Sequence, residues 1–143
     1  MTQQINQNNK RIVIILDKSA PVGMVLNGAC HIAAQLGALE PDIKGSSIQD
    51  ASGITHLGVP NCPNIILRSD RKGIKKVILK ARALEKQPVI IDFPEEGFIT
   101  STDKEFCDAV NKKNNEDFSY IGVLLYGSET QLKKLTKSLS LYK

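Results

Sequence analysis

The sequence predicts an α/β domain: a three-layer α/β/α sandwich around a small mixed sheet of about four strands. Three observations lead there. Short, fully apolar runs recur along the 143-residue chain. Segments with helical periodicity separate them, and turn residues mark the junctions. Runs that short and that apolar suit strands buried on both faces, and strand–helix alternation suits a sheet with helices on each side.

The first run, Ile12 to Leu16, stops at Asp17. After a Pro-Val-Gly turn, Val22, Val25, Leu26, Ala29, Ile32, Ala33 and Leu36 repeat at helical spacing, and Gly37 closes the helix. On a wheel its core stripe centres near Ala29 and Leu36, with Met24, Asn27, Gly28, His31 and Gln35 opposite. Residues 39–64 hold three Gly and three Pro and read as a long excursion. In it Asp50-Ala51-Ser52-Gly53 turns between two extended pieces, 47–49 and 54–57. The second run, Ile65 to Leu67, ends at Ser69-Asp70, which cap a helix carrying Ile74, Val77, Ile78, Ala81 and Leu84 on one face. The third run is Val89 to Ile91, between Pro88 and Pro94. A helix then starts at Thr102, with Glu105 completing a capping box. The fourth run, Tyr120 to Tyr126, leads into a helix from Ser128, with Gln131 as capping partner and Leu132, Leu135 and Leu139 inward.

Composition narrows the function classes. Hydrophobic residues make up 41% and charged residues 24%, which fits one folded domain over residues 10–143. Residues 1–9 read as a polar, frayed tail. No run approaches the roughly 20 apolar residues of a membrane span, so no membrane partner and a cytoplasmic location are expected. Three cysteines, Cys30, Cys62 and Cys107, form no paired motif, so neither a disulfide framework nor a metal site is expected. No cofactor fingerprint appears. The net charge of +4 permits an anionic partner.

Asp17 and His31 are the first candidates for chemistry. Asn27, His31 and Gln35 share a helix face, and Asp17 ends the strand before that helix. An Asp near an imidazole can orient it for general acid–base work; a turn Asp and a solvated polar face give the same spacing. Asp92 ends the third strand as Asp17 ends the first. If those strands are parallel neighbours, both acids emerge at one sheet edge. His56, in the excursion, is placed to fold over that edge or to lie on a surface loop. The second helix carries Arg71, Lys72, Lys75, Lys76, Lys80, Arg82 and Lys86, a stripe able to follow phosphates but lacking interleaved aromatics.

The segments 10–18, Pro21-x-Gly23, Asn27-Gly28-Ala29-x-His31-Ile32-Ala33-Ala34, 50–56 and 122–127 resemble an uncharacterised bacterial family known only as a domain of unknown function. That family is similar in fold to the type II peptidyl-tRNA hydrolases. The resemblance implies their fold and carries Asp17, Gly23 and His31 onto matched positions. Met24 stands where the hydrolases have their functional Lys, and Gly28 where they have Gln. Asp92 loosely matches their strand-end Asp, but Phe93-Pro94-Glu95 follows it instead of Ala-Gly-x-Thr. Loss of the Lys removes a cation suited to an anionic ester or phosphate.

The resulting expectation is a non-catalytic ligand-binding or regulatory module on that scaffold. Its ligand would be a small or peptide-like molecule near Gly23, Met24, Asn27 and His56. One alternative is a hydrolase of esters or amides using Asp17, His31 and Asp92. Another is RNA binding through helix 71–86. The sequence also leaves room for a homo-oligomer.

Overall fold

A computed structural model of the chain describes residues 9–143. The tail expected over residues 1–9 therefore lies, except for Asn9, outside the described residues. The first strand, β1 (Lys10–Asp17), is buried from Ile12 onward. Ile12, Ile14 and Leu16 enter one core cluster and Val13 and Ile15 the other. That two-sided burial is why the run is apolar throughout rather than alternating.

The elements that follow are α1 (Val22–Leu39), a hairpin of β2 (Ile48–Gln49) and β3 (Thr55–His56), β4 (Asn64–Ser69), α2 (Arg71–Arg82) and β5 (Val89–Pro94). Then come α3 (Glu96–Ile99), α4 (Asp103–Val110), β6 (Tyr120–Ser128), α5 (Glu129–Thr136) and β7 (Ser140–Leu141). The main sheet is mixed and five-stranded, in the order β5-β6-β1-β4-β7. β1 runs parallel to β4 and antiparallel to β6; β5 is antiparallel to β6 and β7 to β4. Val25, Ile32 and Leu36 of α1 pack on one face with Ile12, Ile14, Leu16 and Phe93. Ile74, Val77, Ile78 and Ala81 of α2, with Leu132 of α5, pack on the other.

Local caps hold the helices as their sequences require. Asp70 accepts from the Gly73 N–H at 2.7 Å at the start of α2. Thr102 and Glu105 form the complete capping box of α4. Ser128 caps α5, but the Gln131 side chain reaches the Lys86 carbonyl at 2.9 Å instead of closing a box.

Four expectations need correction. The sheet has five strands, because residues 140–141, given no element by the sequence pattern, pair with β4. β1 and β5 are parallel but not neighbours, since β6 lies between them. The wheel of α1 is rotated: Gly28 is buried and faces the Phe93 ring, whereas Val22 and Leu26 are 62% and 57% exposed. And α1, an 18-residue helix with no charged side chain, is long and apolar enough by length and composition to cross a membrane, although its inner stripe packs on the sheet.

Candidate functional site

Asp17 closes β1 with 2% of its surface exposed. Its two oxygens are both engaged. The Ser19 N–H donates to Oδ1 at 2.9 Å, and Arg71 Nε donates to Oδ2 at 2.8 Å. Arg71 comes from the first turn of α2, and its Nη1 also donates to Ser119 Oγ at 3.1 Å and lies 3.3 Å from Glu95 Oε1. The guanidinium is held firmly charged, chiefly by its bond to Asp17. The cluster thus ties together the ends of β1 and β5, the approach to β6 and the start of α2.

Asp92 meets the other end of the same helix. Arg82 Nη2 donates to Asp92 Oδ2 at 2.7 Å, and Arg82 Nη1 donates to Asn115 Oδ1 at 3.1 Å. Burial pushes the Asp92 carboxyl up from its ordinary value, and Arg82 pulls it back only in part. Burial likewise raises the Tyr120 phenol near this pair.

His31 lies on the opposite side of the sheet. Its ring stacks on Phe93, with centroids 5.5 Å apart and planes at 17°, and Phe93 belongs to the core cluster of the α1 face. Asp17 and Asp92 point at arginines of α2, beneath the other face. Side chains alternate across a strand, so neighbouring Phe93 and Asp92 necessarily point to opposite faces. The structure therefore does not bring His31 to either carboxylate, and the expected acid–base grouping is not assembled.

The remaining sequence candidates scatter. Gly23 has open space where a side chain would stand, so no close approach demands it. Met24 is half-buried against the α1 core, and Asn27 is exposed. His56 bonds Asp50 Oδ2 at 3.0 Å within the hairpin, not any residue of the sheet edge. That bond is the main reason the Asp50 carboxyl lies below its usual range. On α2, Arg71 and Lys75 turn inward, Arg82 is exposed but paired with Asp92, and Lys75 donates to the carbonyls of Glu116 and Phe118. Lys72, Lys76, Lys80 and Lys86 stay exposed.

A different grouping occupies the carboxyl ends of β1 and β4. An open cavity of about 470 Å³ is lined there by Lys18, Arg68, Ser69, Asp70, Ser138, Leu139 and Ser140. Among the described residues neither Lys18 nor Arg68 has a carboxylate within ion-pair distance. Asp70 lines the same cavity and gives one oxygen, Oδ1, to its helix cap. Gly73 permits this geometry, because a Cβ there would stand 2.0 Å from Ser69 Oγ. No imidazole or thiol lines the cavity to activate a serine. Its two cations and several hydroxyls can contact an anion.

Sequence reasoning missed these residues. Lys18 directly follows Asp17 and Arg68 lies two residues before Asp70, and neither carries a motif of its own. Ser138 fell inside the expected last helix, and Ser140 just past Leu139, its last expected inward position. A second cavity of about 430 Å³, at the far end of β1, contains Lys10, Glu40, Lys86 and Tyr126, so its charges are mixed.

The family model for DUF2000, proteins of unknown function, matches residues 10–143. The chain belongs to the DUF2000 family. Its fold is shared by a solved structure of a protein of unknown function, Atu0240, from Agrobacterium tumefaciens C58. The TM-score is 0.84 at 21% identity, covering 94% of this chain and 98% of that one. No functionally curated protein matches. The fold of this DUF2000 member is thus anchored in a second structure, and its role rests on the site.

Proposed function

We propose that the protein is a non-catalytic binding or regulatory module that takes a small anionic ligand at the Lys18/Arg68 cavity. One observation carries this: two cations without carboxylate partners among the described residues, beside three serines, at the carboxyl end of parallel strands. That edge is where open α/β sheets bind ligands. The scaffold belongs, in this reading, with the type II peptidyl-tRNA hydrolases. Support comes from the helices on both sheet faces, making three layers, and from Asp17, Gly23 and His31 at matched positions. Met24 in place of Lys, and the engagement of Asp17 by Arg71, favour binding over hydrolysis. Exposed thiols at Cys30 and Cys107 suit a reducing, cytoplasmic setting.

Titration calorimetry with inorganic phosphate, a nucleoside monophosphate and bulk tRNA tests the proposal. Saturable binding of a small anion is expected, weakened at least about tenfold by Lys18→Ala with Arg68→Ala, as for loss of two charge-assisted contacts. Unchanged affinity in the double variant sinks it. Binding of tRNA alone, lost with Lys76→Ala and Lys80→Ala, would replace it with the basic-helix reading.

A further inference from the structure

The excursion after α1 is anchored in the core by Ile43 and Cys62, and between them it forms an exposed arm with internal order. Its base is pinned by the Asn61 N–H donating to the Ile43 carbonyl at 2.8 Å. The two chains then run backbone against backbone: a Cβ on Gly45 would stand 1.8 Å from the Val59 carbonyl, and one on Gly58 2.2 Å from that of Ser46. At the tip, Gly53 turns the chain at φ +84° and Asp50 ties Ser52, Ile54 and His56. Yet residues 46–61 are all exposed. Ile48, Ile54, Leu57 and Val59 are 63%, 60%, 80% and 79% exposed. An isolated two-stranded hairpin is marginal in water, and four large apolar side chains held out to solvent call for a cover.

The same molecule carries a matching surface. Val22, Leu26, Ala33 and Cys30 form an outward flank of α1, and no residue of Val22–Leu39 is charged. Residues 45–60 include one acid, Asp50, and no Lys or Arg. Elsewhere the chain is rich in charge, so an uncharged helix flank and an arm whose one acid, Asp50, is tied up within its own turn stand out and suit each other. Charge is depleted where protein interfaces are fully buried. Six large apolar side chains, four on the arm and two on the flank, are each more than half exposed, and a two-fold contact would cover all of them twice.

We propose that the arm of one copy covers the Val22/Leu26 flank of α1 in a second copy, twice over, in a two-fold dimer. Each copy then gives and receives the same contact, as a two-fold interface requires. The eight residues outside the described chain offer only Met1 and Ile5 as apolar side chains and cannot replace a second copy. A bilayer is the poorer occupant, because surface helices that lie in membranes present Lys or Arg beside their apolar face and α1 has neither. The cavity at Lys18 and Arg68 uses none of these residues, so the two proposals stand or fall separately.

Sedimentation equilibrium of the full chain at concentrations up to about 100 μM, spanning the micromolar affinities of ordinary complexes, tests this. Twice the chain mass is expected. Leu57→Glu on the arm and Leu26→Glu on the flank should each raise the dimer Kd at least about 30-fold, as loss of a central anchor does. Leu79→Glu, on α2, should leave it unchanged. A monomeric wild type, or a Leu57→Glu protein with the wild-type Kd, overturns the proposal. So does binding to phosphatidylcholine vesicles by a protein that stays monomeric. In case Leu26→Glu fails to fold, Leu57→Cys in a Cys107→Ser background supplies an independent measurement. Oxidation should join position 57 of one copy to exposed Cys30 of the other, mapped by mass spectrometry; absence of that cross-link also overturns the dimer.

Discussion

Arg71, half-buried, ties three acceptors from separate segments to the start of α2. It answers a carboxylate that is 2% exposed and at the same time reaches Ser119 and Glu95. Removing one member of a buried pair leaves the other charged and poorly solvated, which costs about 3–5 kcal/mol. Arg71→Ala should therefore destabilise the protein by about 3 kcal/mol, read as a lower urea midpoint at unchanged slope. Arg71→Lys should recover only part, because one ammonium cannot satisfy three separated oxygens. A loss below about 0.5 kcal/mol would mean that water already carries the Asp17 charge. Asp17 was visible in the sequence as a strand-end acid, but its partner was not. Arg71 lies 54 residues away within a run of lysines that looks like a uniformly solvated face. Only the parallel pairing of β1 with β4 brings the start of α2 to the end of β1.

At the scale of elements, α1 shows why helix orientation was harder to read than helix existence. Its spacing defines two adjacent apolar flanks, Val22/Leu26/Ala33 and Val25/Ile32/Leu36, and no charge marks which one faces water. Gly28 carries the missing information. A Cβ there would stand 2.9 Å from Phe93 Cδ1, and the far side of the same ring is closed by Gly97, whose Cβ would stand 2.8 Å from Phe93 Cε2. The ring is clamped between two glycines and cannot slip aside. Gly28→Ala should thus destabilise by about 1 kcal/mol, since overpacking of about 1–3 kcal/mol exceeds the roughly 1 kcal/mol gained in helix propensity. Phe93→Leu in the same chain should restore the thermal midpoint toward that of Phe93→Leu alone. A stabilised Gly28→Ala would show that α1 can lift from β5. The capped helices were more legible, because Asp70, Thr102 and Ser128 act within three residues of themselves; β7 was not, because Ser140–Leu141 becomes a strand only by pairing with Leu67 and Arg68.

Across the whole molecule, order is graded outward from β1 and β6. Each has a strand on both sides, and β6 is buried over Tyr120–Tyr126. α4 has no buried residue. Amides of 120–126 should exchange with solvent only through global unfolding, whereas those of 103–110 should exchange by local opening, at least about 100-fold faster. Hydrogen-exchange mass spectrometry resolves the two peptides, and equal rates would mean that α4 opens only with the sheet. The apolar strand runs made the presence of this sheet readable. Its order was not, because antiparallel β6 inserts between β1 and β5 without any local sign.

The two rims of the sheet set what kinds of assembly are open to the molecule. On one side β7 blocks the middle of β4, and the Tyr142 N–H donates to the Ile66 carbonyl at 3.0 Å just beyond it. On the other, β5 is bracketed by Pro88 and Pro94, neither of which has an amide hydrogen to offer. Strand-by-strand growth into filaments is thus discouraged at both rims. Association of the chain is steered away from the sheet rims and toward its other surfaces.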